Sequence, residues 1–260
     1  MTFRLSRLLA ASALSLAAGL AHAGVDQSWS LTSGSSGVNV SAWTASNTTN
    51  LLSAGTVTNW SGGVGASYSG EPTSSPQHAL DNHTRFESLL LDFGSEAVNL
   101  SKIGVGWSEA WANQTSCTWW GSCSTSFKNV GSQTDLFVLA YTGSDPFSAS
   151  SMSGLSYSQL LNNGWEIVAN VSGSTGTRDI ATATPIYSSF WLIGAGSFEA
   201  TSGGAAITTG DGRHDFIKIA GVTGSVRPPP PPGTVAEPGS LALLGLGMLG
   251  MLALRRRRSV

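Results

Sequence analysis

The chain has 260 residues, of which 11% are charged, 32 are glycine and nine are tryptophan. Ordinary soluble proteins carry about 25% charge and ~7% glycine, so this one draws its polarity from Ser, Thr and Asn, which excludes a coiled coil or helical bundle. The net charge of −2 hides an uneven spread: six of the 13 basic residues (Arg4, Arg7, Arg255, Arg256, Arg257, Arg258) sit at the ends, and 14 of the 15 acids lie ahead of the C-terminal tail that holds Glu237, leaving an acidic middle with no basic excess for a nucleic acid.

Residues 1–23 read as a signal peptide. Arg4 and Arg7 form a positive start, and Leu8 to Leu20 is an apolar run of 13 residues. As a helix that run would span about 20 Å, short of a ~30 Å bilayer core. Ala21-His22-Ala23 is a small-x-small cleavage site, so the mature chain is expected to begin at Gly24, outside the cytoplasm.

Residues 24–226 show short alternating segments between clusters of Gly, Ser, Asn and Thr, the pattern of an all-β chain. Val38 and Val40 alternate with polar neighbours. Phe86 to Phe93 (FESLLLDF) and Leu136 to Tyr141 (LFVLAY) are nearly continuous apolar strands. Val98 and Leu100 alternate in one phase, and Ile103, Val105 and Trp107 in the other. The slip at Ser101-Lys102 predicts a β-bulge or a tight turn. A short helix is expected over Ser156 to Asn163, stopped by Gly164. Trp165, Ile167, Ala169 and Val171 alternate strictly, and Phe190 to Gly194 and Phe216 to Val222 supply further strands. Many short strands with little helix predict a single β-sandwich, jelly-roll-like.

Cys117 and Cys123 are the only cysteines and enclose Thr-Trp-Trp-Gly-Ser. In an exported chain such a pair predicts a disulfide, since two thiols are too few for a metal site. It would pin Trp119 and Trp120 at a loop tip. Trp111, Trp119 and Trp120 lie in a loop-like stretch and are the candidates for glycan contact, because sugar C–H faces stack on indoles. Trp107, Trp165 and Trp191 sit at inward phase and read as core.

His78, Asp81 and Asn82 have the spacing of a small metal or proton-relay site, but Asp-Asn ahead of a strand is ordinary turn chemistry. Asp211 and Asp215 flank Gly212-Arg213-His214 and offer oxygen ligands of the kind Ca²⁺ takes. Arg213 and the lack of a third nearby acid favour a plain turn there. No Gly-x-Ser-x-Gly elbow and no HExxH occurs, so triad and zincin chemistry have no support. A glycoside hydrolase or lyase would need two carboxylates about 5–10 Å apart in a cleft.

From Arg227 the composition changes. Residues 227–234 hold five consecutive prolines, Pro228 to Pro232, the signature of a stiff polyproline II spacer. Residues 235–260 follow with Glu237-Pro238, an apolar run over 239–254, and Arg255, Arg256, Arg257 and Arg258. Arginines directly after an apolar run are a positive-inside signal. The 16 residues of 239–254 would reach only about 24 Å as a helix.

This tail resembles the PEP-CTERM sorting signal. In that family a Pro-Glu-Pro motif, an apolar transmembrane helix and an Arg cluster are recognised by exosortase, a membrane-embedded cysteine protease of Gram-negative bacteria. Glu237 and Pro238 match the last two motif positions, and Ala236 stands in place of the first Pro. The middle also resembles a family of exosortase-dependent surface proteins that carry this tail. That likeness runs over about residues 60 to 222, through Pro76 to Asn82, FESLLLDF, Ile103 to Trp107, Thr134 to Gly143 and Asp215 to Ile219. The resemblance implies a protein held transiently in the inner membrane as a precursor, with exosortase as processing partner, and then delivered to the cell surface or extracellular matrix. The expected role is non-enzymatic, associated with exopolysaccharide or biofilm, with no cofactor unless Ca²⁺ binds; the alternative is a carbohydrate-binding module acting through the Trp loop, and the third reading is a glycoside hydrolase or lyase.

Overall fold

A computed structural model describes residues 26–32, 37–72, 76, 78–180 and 182–229. The signal peptide with its Ala21–Ala23 site lies outside the described residues. So do the end of the proline spacer, Glu237, Pro238, the apolar run 239–254 and Arg255, Arg256, Arg257 and Arg258. Among the described residues no helix is long and apolar enough to cross a membrane.

The fold is all-β and antiparallel. In chain order the strands are β1 (Asp26–Ser30), β2 (Asn39–Ala45), β3 (Ser53–Ala54), β4 (Thr56–Trp60), β5 (Gly63–Ser67), β6 (Leu80–Asp81), β7 (Phe86–Asp92) and β8 (Val98–Cys117). Then come β9 (Cys123–Gly131), β10 (Thr134–Tyr141), β11 (Trp165–Gly173), β12 (Gly176–Asp179), β13 (Phe190–Ala195), β14 (Ser197–Thr201), β15 (Gly204–Thr208) and β16 (His214–Val226). Two 3₁₀ segments, Ala149–Gly154 and Tyr157–Asn163, lie between β10 and β11. The second stands where the helix was expected and is closed by Gly164.

The larger sheet runs β12-β8-β16-β5-β4, with β1 and β6 also on β16 and β9 on β8. The smaller runs β11-β10-β13-β7-β2-β3, and β14–β15 form a separate ribbon. Between the sheets lies the main core: Leu89, Leu91, Leu136, Val138, Trp191 and Ile193 meet Leu100, Ile103, Val105, Ile217, Ile219 and Val222. The other face of the smaller sheet is covered too. There Leu90, Phe137, Leu139 and Leu192 pack under Met152, Tyr157 and Leu160 of the 3₁₀ segments and Phe198 and Ile207 of the ribbon. This third layer explains the continuous apolar runs FESLLLDF and LFVLAY, because a strand buried on both faces has no polar side to alternate with.

Bulges account for the phase changes. Thr223 pairs with Lys102 and Gly224 with Leu100, so Ser101 is the extra residue on β8, and the predicted slip is a bulge inside one long strand. A second slip on β8 falls at Gly106, where an added Cβ would lie 1.9 Å from the Gly62 carbonyl oxygen; only glycine lets the two backbones come so close. The strict alternation expected of β11 does not hold. Val138 faces Ala169 and Leu139 faces Ile167, so Val168 is extra. The bulge turns Trp165 and Ile167 toward the outer layer and Ala169 and Val171 toward the other sheet. Arg178 of β12 is 5% exposed and ties the sheets together. Its guanidinium donates to Thr134 O and Oγ1 at 3.0 and 2.7 Å and to Gly173 O at 2.6 Å.

Candidate functional site

Strand β8 leaves the sandwich after Trp111. From Ala112 to Cys117 it pairs only with β9, residue against residue, as a two-stranded arm ending at Cys117 opposite Cys123. An isolated ribbon is marginal in water, and this one has covalent closure. Cys117 and Cys123 form a disulfide with Cα atoms 4.0 Å apart. Inside the closure the Thr118 N–H donates to Ser122 O at 2.8 Å and the Gly121 N–H to Thr118 O at 3.0 Å. Gly121 takes φ +85°, which the turn requires and a side chain would strain. Trp119 and Trp120 occupy the middle of that turn. They are 84% and 74% exposed, with ring centroids 3.6 Å apart and planes inclined by 32°.

An aromatic cluster braces the base of the arm. Phe127 of β9 stacks on His83 with centroids 4.3 Å apart and lies 5.4 Å from the Trp111 ring. His214 and Phe216 of β16 close the group. Burial and the neighbouring His214 hold the His83 imidazole below its ordinary pKa, so its neutral form is favoured.

Of the three tryptophans singled out for glycan contact, two are at the tip and one is not. Trp111 is half-buried on β8, with its indole N–H on Glu109 Oε2 at 2.8 Å. It braces the arm instead of crowning it. Trp165 and Trp191 are core, 3% and 0% exposed. Trp107 is only half-buried, with the Lys218 ammonium 4.8 Å above its ring.

The carboxylates of Asp211 and Asp215 are committed to different partners. Asp211 is exposed and pairs with Arg213 at 3.3 Å. Asp215 is buried on β16, where it accepts from Asn82 Nδ2 at 3.0 Å and from the Asp135 N–H at 2.9 Å. Desolvation raises its pKa to about 7. Asn82 is thus a structural partner of Asp215. Its Oδ1 also accepts the Asp215 N–H at 2.8 Å. The acids that do converge are Glu71, Asp81 and Glu87, of which sequence reasoning raised only Asp81. The missed signal was Glu87, a charge on the same strand face as the buried Leu89 and Leu91.

A family model for the PEP-CTERM protein-sorting motif matches residues 234–258. No curated protein and no solved structure matches the chain. The chain therefore carries a C-terminal PEP-CTERM sorting domain behind an all-β domain, and that motif indicates an exported protein processed by exosortase and sorted to the cell surface.

Proposed function

We propose that this is a non-enzymatic protein of the cell surface or extracellular matrix that associates with exopolysaccharide. The sorting motif carries this reading. In the precursor, the apolar run 239–254 lodges in the inner membrane with Arg255, Arg256, Arg257 and Arg258 on the cytoplasmic side. Exosortase cuts near Glu237-Pro238, the apolar run is left behind, and the β-domain departs with its proline spacer. Glu237→Ala or Pro238→Ala is expected to accumulate a larger, membrane-held form that co-migrates with the species in a strain lacking exosortase. Normal processing of both variants would defeat this route.

A second reading, a carbohydrate-binding module, is favoured by the exposure of Trp119 and Trp120 at a closed turn. Two adjacent indoles on a braced arm offer stacking faces already ordered before a sugar arrives, which lowers the entropy lost on binding. Each aromatic contact adds roughly 0.5–1.5 kcal/mol beyond area burial, so several sugar residues along a polymer would have to engage. Cosedimentation of the exported protein with the producing cell's exopolysaccharide tests it. Trp119→Ala with Trp120→Ala should abolish cosedimentation; retention at the wild-type level would remove the arm from the binding surface.

A further inference from the structure

Glu87 is the second residue of β7. With side chains alternating along a strand, it shares its face with Leu89 and Leu91, which point into the core between the sheets. Its side chain is 1% exposed, and among the described residues neither carboxylate oxygen has a hydrogen-bond partner. A buried ionised carboxylate without partners is among the costliest groups a fold can hold.

Two further acids meet it. Asp81 ends β6 and pairs with Phe216 of β16, so it belongs to the larger sheet, whereas Glu87 pairs with Thr44 in the smaller. Glu71 follows β5. One oxygen of each lies within 4.8 Å of the others. Asp81 Oδ1 accepts the His83 N–H at 2.9 Å. Among the described residues, Glu71 Oε1 accepts a long 3.4 Å contact from the His78 N–H, and its Oε2 has no hydrogen-bond partner. Among the described residues no Lys or Arg forms an ion pair with any of the three. The charge of Arg85 acts on Glu87 to favour its ionised form, but the guanidinium lies over the Tyr68 ring at 5.0 Å, and among the described residues its Nε has no hydrogen-bond partner. Desolvation raises all three carboxyls, Asp81 to about 7 and Glu87 well above its ordinary value. The Asp81 amide favours the charged form of Glu87 without reaching hydrogen-bond geometry.

We propose that Glu71, Asp81 and Glu87 bind one Ca²⁺ that clasps the two sheets at this end of the sandwich. Calcium takes six to eight oxygens at about 2.3–2.6 Å, so ligands on opposite sides of the ion stand up to about 5.2 Å apart, and the spacing here fits inside that shell. Three carboxylates and one neighbouring guanidinium leave two negative charges, which a single Ca²⁺ cancels. The orphaned oxygens of Glu87 and Glu71 gain a partner, and strands of opposite sheets acquire a common ligand. An exported protein meets calcium at the concentrations extracellular sites use, with dissociation constants of about 10⁻⁴–10⁻³ M.

Calorimetric titration of the exported protein with CaCl₂, paired with thermal melts in CaCl₂ and in EDTA, tests the site. One ion per chain is expected, with a melting temperature several degrees higher in calcium because the ion binds only the folded chain. Glu87→Gln should abolish both responses while melting in EDTA at or above the wild-type temperature, since it removes the unpaired charge and keeps the shape. Asp81→Asn should likewise lose the response, and decides the matter should the first variant not fold. No heat and no shift up to about 10 mM CaCl₂ would overturn the proposal. A calcium response that survives in both variants would overturn it as well, by placing the ion elsewhere.

Discussion

Strand β10 has neighbours on both edges and cover on both faces. Leu136, Val138 and Ala140 point to the larger sheet, Phe137 and Leu139 to the outer layer. The outer half of β8 has one neighbour, β9, and from Asn113 to Cys117 every residue is exposed. Both are regular antiparallel strands. One is held by apolar burial and is inseparable from the sandwich. The other is held by backbone hydrogen bonds, an aromatic brace at its base and a disulfide at its end. The first kind of strand fails with the whole domain, and the second can open alone. That separation lets a surface tip vary without touching the core.

The comparison breaks if β10 tolerates truncation. Phe137 is fully buried, 5.2 Å from the Phe198 ring and 6.3 Å from Tyr157. Phe137→Ala is expected to cost about 3–5 kcal/mol in chemical denaturation, with the arm and the sandwich lost in one transition. A loss under about 1 kcal/mol would mean that the outer layer contributes little to cohesion.

Acidity sharpens it next, through a group near the junction of the two regions. Asp215 keeps its proton in the folded chain up to about pH 7 because burial disfavours its charge. The unfolded chain releases the same proton near pH ~4. Between those values the folded state binds one proton more, so unfolding free energy falls as pH rises and levels off above about 7. The full span is at most about 4 kcal/mol. The acids around Glu87 titrate too, so the contribution of Asp215 is read as the slope lost in Asp215→Asn. Parallel stability-pH curves for the two proteins would count against the shift.

The arm itself responds more weakly. Cys117→Ser with Cys123→Ser opens a small loop and is expected to lower stability by at most about 2 kcal/mol. Amide exchange should speed up from Asn113 to Phe127 and stay unchanged in β10. An equal rise in both would show that the arm and the sandwich form one cooperative unit.

The same contrast decides what could be read from residues alone. Both faces of the smaller sheet left a trace in FESLLLDF and LFVLAY, and the bulge at Ser101 announced itself by the phase change between Leu100 and Ile103. The arm left none. Ala112 to Cys117 and Cys123 to Ser126 carry Ser, Thr, Asn and Gln with no apolar face, so that stretch reads as loop although each of these residues is paired across the arm. Trp111 was misplaced for this reason: in a loop it would reach solvent, and on β8 it faces Phe127. The disulfide was legible from cysteine count and compartment. The meeting of Glu71, Asp81 and Glu87 was not, because it depends on β6 and β7 entering different sheets, a fact of topology that no local spacing encodes.

The smallest effect is expected at the tip. Trp119 and Trp120 bury little of their surface, and the turn that carries them is held by Thr118, Gly121 and Ser122 through backbone groups. Trp119→Ala with Trp120→Ala should therefore change stability by no more than about 0.5 kcal/mol, the range of ordinary surface substitutions. Core indoles such as Trp191, fully buried with its N–H on Val98 O and Ser188 O at 3.1 Å, would cost several-fold more. Iodide quenching gives an independent reading. An ion in water reaches an exposed ring and not a buried one, so the double variant should lose most of the quenchable emission and keep the protected fraction. Unchanged quenching, or a melting temperature lowered by several degrees, would mean that the two rings fold back onto the sandwich in solution, and the arm would then be part of the domain's cover.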